Sequence, residues 1–175
     1  MISTETRQIV RRRANFACEF CDITETDVGG ELTVDHFQPK SRKGSDNLEN
    51  LIYACARCNL YKADYFPKTD AEQKLWNPRQ ESSDAHFLHL PSGELFALSE
   101  TGKFTIYRLR LNRPQLIENR RQKQIQAEED LLLARYQSLT ELLMRMYQQH
   151  LELLDEQRNL LEEQQRLLRI FNSEN

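Results

Sequence analysis

The chain has 175 residues, of which 29% are charged and 39% hydrophobic, with a net charge of −3, and its mean hydropathy is −0.73. That length supports one folded core plus an appendage. No run approaches the roughly 18 apolar residues of a membrane span, and the N-terminus lacks the apolar centre of a secretion signal, so a cytoplasmic protein with no membrane segment is expected.

Charge is unevenly spread. Residues 7–13 carry four arginines and no acid, and Lys40, Arg42 and Lys43 cluster further on. Between Lys103 and Lys123 there are seven basic residues against one acid, Glu118, whereas residues 124–175 carry five arginines against ten acids. A basic body and an acidic tail cancel in the sum, and the local patches are what a phosphate backbone would meet.

In chain order, residues 3–16 read as a short helix capped by Ser3 or Thr4, with Ile9, Val10 and Phe16 on its apolar side. Cys18 to Cys21 forms a tight knuckle, Asp27-Val-Gly-Gly30 a turn, and Glu31 to Val34 a strand that Pro39 stops. Residues 40–47 form a polar loop, Leu51 to Ala54 a second strand, and Arg57 to Asp64 a helix that ends before Pro67. Residues 76–114 read as a β-rich unit. Lys103 to Arg110 alternates polar and apolar as a half-buried strand does, and His86 to Leu88 and Glu94 to Leu98 are its candidate partners.

After Pro114 the chain has neither Pro nor Gly. Ile125, Leu132, Leu139, Met146, Leu153, Leu160 and Leu167 recur at intervals of seven, widened by Leu133, Tyr147, Leu154, Leu161 and Leu168. This predicts a long amphipathic helix over residues 115–171, as a coiled coil or a helical hairpin. His150, Gln157 and Gln164 interrupt the seam and leave the hairpin, or docking on a partner protein, open beside a homodimer.

The chemistry concentrates between Cys18 and Lys62. Two Cys-x-x-Cys pairs, Cys18/Cys21 and Cys55/Cys58, bracket 33 residues. In a reducing compartment such pairs favour metal over disulfides, and four thiolates suit a closed, structural zinc. Inside the bracket Asp35 and His36 are adjacent; both can serve one phosphate where the strand ends, and Pro39 marks an end nearby. Asp35 and Asn59 offer hard oxygen ligands for Mg2+, and an imidazole suits taking a proton from water at neutral pH.

Five motifs then carry a likeness: Cys18-Glu-Phe-Cys21, Val34-Asp35-His36-Phe-Gln-Pro39, Gly44-Ser-Asp, Asn50-Leu-Ile-Tyr-Ala-Cys55 and Cys55-Ala-Arg-Cys58-Asn59-Leu-Tyr-Lys62. Together they resemble the HNH endonuclease family, with its ββα-metal, treble-clef-like module. The resemblance implies His36 as general base, Asp35 and Asn59 as ligands of a catalytic Mg2+ or Mn2+, and Asn50 as the middle asparagine that orients the catalytic loop and His36. Asn59 stands where the family often has His, an H-N-N variant. Trp76-Asn-Pro-Arg79, His86-Phe87, Gly93, Thr101-Gly102 and Leu111-Asn-Arg-Pro114 followed by Arg120 resemble the extension of a bacterial group of HNH proteins, so the likeness runs from residue 7 to about residue 121.

The expected architecture is α+β: a zinc-stabilised module over residues 1–75, a β-rich extension over 76–114 and a helical tail over 115–175. The expected activity is phosphodiester hydrolysis in DNA, with RNA open as a substrate. Lys40, Arg42, Lys43, Arg108, Arg110, Arg113, Arg120 and Arg121 would track the backbone, and Lys62, counted with the catalytic residues, would contact a phosphate or the transition state, or else stay solvated. One alternative is a zinc-knuckle nucleic-acid-binding module without catalysis. Another is a subunit of a bacterial defence or mobile-element system, with the tail helix as adaptor.

Overall fold

The computed structural model describes residues 2–69 and 71–173. Helix α1 (Thr4–Arg13) begins where the Ser3 hydroxyl accepts the Thr6 N–H at 3.1 Å, an N-cap that satisfies one of the helix's free donors. Its last turn is basic, and two of those arginines are structural ties. Arg11 grips both oxygens of Glu25 at 2.6 and 2.7 Å, and Arg13 donates to the carbonyls of Leu48 and Leu51. Glu25 opens the one-turn helix α2 (Glu25–Val28), which Thr24 and Asp27 close with a reciprocal capping box.

Strand β1 (Thr33–His36) pairs antiparallel with β2 (Leu51–Ala54), placing His36 opposite Leu51 and Asp35 opposite Ile52. Helix α3 (Ala56–Lys62) follows, capped by the Cys55 side chain, which accepts the Cys58 N–H. Val10, Val34, Leu51 and Tyr53 bury one small cluster between α1 and the strand pair. These elements stand in the ββα order.

The sequence reading of residues 103–110 as a strand is wrong. Helix α4 spans Glu100–Leu109, capped by Ser99, whose hydroxyl accepts the Gly102 N–H at 3.0 Å. The buried residues are Gly102, Thr105 and Leu109, a helical spacing that the polar–apolar alternation of Phe104 and Ile106 masks. Gly102 lies in the helix because a Cβ there would fall 2.3 Å from the His86 carbonyl oxygen. The two segments offered as partners for the supposed strand pair with each other instead, as β3 (Phe87–His89) and β4 (Leu95–Ala97).

Residues 76–124 share the module's core. Phe20 of the first knuckle meets Trp76 edge-on, and Trp76 meets Phe87 at 5.2 Å between ring centroids. Leu109, Leu111 and Leu116 are no more than 1% exposed in the same cluster as the four cysteines. At about 2 kcal/mol for each such burial, the extension and the first turns of the last helix hold the module together rather than decorate it.

Helix α5 runs from Pro114 to Ser173 without a break, so the hairpin reading of the tail is excluded. Its 60 residues make it about 90 Å long at 1.5 Å per residue. Two compact units result, Met1–Gln124 and Ile125–Asn175. In the second unit the heptad leucines are exposed, Leu153 at 57% and Leu160 at 60%. No helix of the described residues is long and apolar enough to cross a membrane.

Candidate active site and zinc centre

The four cysteines close a zinc site. Cys18 and Cys21 sit on the turn after α1, and Cys55 and Cys58 at the start of α3; all four are buried, and their sulfurs lie within 4.8 Å of one another. A tetrahedral zinc with Zn–S bonds of about 2.3 Å needs sulfurs about 3.8 Å apart, and Cys21 Sγ lies 3.8 Å from Cys55 Sγ. Burial opposes negative charge on every one of the four sulfurs. Four thiolates in one buried cluster therefore call for a dication, and they leave it no open coordination position.

Asp35 and His36 end β1 and take different partners. The Asp35 carboxylate turns towards α3, where the Lys62 ammonium donates to its Oδ2 at 2.9 Å and to the His36 carbonyl at 2.7 Å. Lys62 is 1% exposed. It is not the solvated lysine that the sequence left open, because a buried ammonium needs every acceptor within reach. Asn59 lies three residues before Lys62, on nearly the same face of α3, and is half-buried. Its carboxamide has no hydrogen-bond partner among the described residues.

The His36 ring is held by the loop between the strands, with Nε2 2.7 Å from Asp46 Oδ1. Asn50 ties that loop across its neck. Its Oδ1 accepts the Gln38 N–H at 2.8 Å, while its Nδ2 donates to the carbonyls of Gln38 and Ser45 at 3.0 and 2.9 Å. Gly44 permits the closure, since a Cβ at that position would fall 1.7 Å from the Gln38 carbonyl oxygen. Asp46 was not among the residues singled out from the sequence. The only signal for it was its place in Gly44-Ser-Asp.

The expected nucleic-acid contacts divide. Arg42, Lys43, Arg110 and Arg121 are exposed, and Arg110 also lies over the Tyr61 ring at 4.8 Å. Lys40 is 54% exposed and pairs with Asp46 at 2.8 Å. Arg108 lies over the Tyr65 ring and donates to the Lys62 carbonyl at 3.4 Å. Arg113 is half-buried near the thiols, which raise it against the effect of its own burial. Arg120 does not belong to this set. It is 6% exposed and donates to the carbonyls of Gly93 and Leu111 at 2.6 and 2.8 Å, tying α5 to the β3–β4 hairpin.

Residues 18–64 match the family model described as HNH endonuclease. Septu protein PtuA of Bacillus mycoides (strain KBAB4) is 25% identical over 146 residues, a match covering 66% of this chain and 20% of that protein. The chain thus spans about a fifth of that relative's length. No solved structure is a significant match.

Proposed function

Residues 18–64 of this chain form an HNH endonuclease domain, and from that premise we propose that the protein hydrolyses phosphodiester bonds in DNA. His36 takes the proton of the attacking water, and the products carry 5′-phosphate and 3′-hydroxyl ends. Asp35 and Asn59 would hold a divalent cation: Lys62 engages Oδ2 of Asp35, which leaves Oδ1, and the Asn59 carboxamide has no partner among the described residues. Both are hard oxygen donors, which suits Mg2+ or Mn2+. Held by these two residues, such a cation would supply charge neutralisation for the phosphate and the leaving oxygen.

One observation carries the reading. The buried Lys62 joins the Asp35 side chain to the His36 backbone, so the two residues with catalytic roles are fixed to the helix that bears Asn59. The exposed cations Lys40, Arg42, Lys43 and Arg121 steer the backbone without reading sequence. The exposed stripe of α5 serves as contact for a second copy or another protein, as expected of a subunit in a larger assembly.

The test is supercoiled plasmid cleavage by the zinc-loaded protein with Mg2+ or Mn2+. Wild type nicks or linearises the plasmid, whereas His36→Ala does not. If both are inert and bind DNA equally with or without the divalent ion, the chain is a binding module and not an enzyme.

A further inference from the structure

We infer that Asp46 is the positioning residue for His36, holding the imidazole with its proton on Nε2 and its lone pair on Nδ1; this rests on the reading of His36 as the base. An ionised carboxylate is an acceptor only. At 2.7 Å from Asp46 Oδ1, Nε2 must therefore be the donor. In the neutral ring the proton-accepting nitrogen is then Nδ1, and the attacking water is served from that edge.

Three observations make Asp46 more than a chance surface contact. Its carboxyl is kept ionised, drawn down to about 2 by the Lys40 ammonium first and by the His36 ring second. Its backbone is held in place, because Asn50 Nδ2 grips the carbonyl of the adjacent Ser45 and Gly44 lets the loop close on Gln38. The ring it touches has little freedom of its own, with the His36 side chain 16% exposed. Asn50 thus reaches the imidazole through Ser45 and Asp46, with no hydrogen bond of its own to the ring among the described residues. The same carboxylate holds Lys40 at 2.8 Å, so the base and a cation on the DNA-facing loop share one anchor.

Long-range proton–nitrogen NMR of imidazole-labelled, zinc-loaded protein, at a pH where the ring is neutral, reads the tautomer directly. Wild type and Lys40→Ala should show His36 as Nε2–H with an unprotonated Nδ1, and Asp46→Ala should move the two nitrogen shifts towards a mixture. In plasmid cleavage Asp46→Ala should lose about 10- to 100-fold in kcat with KM for DNA within about twofold. Nδ1–H in the wild type, an unchanged tautomer in Asp46→Ala, or a loss confined to KM overturns the inference. The wild-type spectrum decides even if Asp46→Ala proves unstable. Should the wild type cleave nothing, the hydrolase reading fails while the spectrum still judges Asp46.

Discussion

Lys62 closes on Asp35 across the gap between α3 and β1, with Nζ 2.9 Å from Oδ2 and the lysine 1% exposed. Removing one member of such a pair leaves the other charge partly buried and alone, at about 3 kcal/mol. Lys62→Met should therefore lower the unfolding free energy obtained from urea titration by about 3 kcal/mol and reduce cleavage with it. Loss of cleavage at unchanged stability would instead mark Lys62 as a direct phosphate contact.

In the proposed site, zinc and the catalytic cation would have separate ligands on adjacent residues, Cys58 and Asn59. Stripping zinc with a strong chelator, or Cys58→Ser, should abolish the cooperative melt of residues 1–124, because the thiolates lie in the main core and binding free energies of about 10 kcal/mol are typical of such sites. Asn59→Ala should leave the melt within about 0.5 kcal/mol of wild type, as surface changes do, and weaken only the stimulation by Mg2+. Equal destabilisation in both variants would sink the division.

Buried and exposed arginines should behave differently towards DNA. Arg121→Ala, at an exposed position, is expected to weaken binding uniformly across sequences and to reduce the salt slope by about 1. Arg120→Ala should cost stability and leave that slope alone, since its guanidinium is already spent on the carbonyls of Gly93 and Leu111. Filter binding across a salt series, paired with thermal melts, separates the two.

Glu25 predicts an acid limb of stability. Its carboxyl is held below the ordinary carboxylate value, chiefly by the hydrogen bonds from Arg11, with Tyr53 adding another. A depressed acid stabilises the fold when ionised, so its contribution is complete above about pH 4.5 and is lost as the pH falls through the folded-state value. Glu25→Gln should be less stable than wild type at neutral pH and converge with it in acid. Urea midpoints from pH 3 upward, in roughly half-unit steps, would show parallel curves if Arg11 and Glu25 contributed nothing.

Ala63 ends α3 with φ at 47° and ψ at −141°, backbone that glycine adopts freely and alanine does not. Ala63→Gly is expected to stabilise the protein by about 1 kcal/mol. A lower urea midpoint in the glycine variant would mean that the methyl makes a contact worth more than the strain.

The parts of this fold that depend on near neighbours were legible in the sequence. Paired cysteines, the Ser3 cap and the Leu51–Ala54 strand follow from spacings of a few residues, and all appear in the structure. The misread parts depend on what lies across the molecule. Thr105 is buried because its hydroxyl accepts the Trp76 N–H at 2.8 Å, and that contact decides helix against strand where the local alternation of residues 103–110 points the wrong way. Lys62 and Arg120 read as surface cations because charge is normally solvated; the carbonyls and the carboxylate that receive them come from segments 9 to 27 residues away. Asp46 is ten residues from His36 and meets it only after the loop has closed.

The first turns of α5 determine where this chain can be cut. Leu116 is 1% exposed in the main core, Arg120 binds the β3–β4 hairpin, and Lys123 reaches the Asp22 carbonyl at 2.7 Å and the Asp27 carboxylate at 3.2 Å, beside the first zinc knuckle. A deletion that begins at residue 114 removes a wall of the metal-bearing core, whereas one that begins at residue 125 takes only exposed side chains over residues 125–169. A shortened protein that stops at 124 should keep its zinc and melt as one unit, whereas the version eleven residues shorter should not fold.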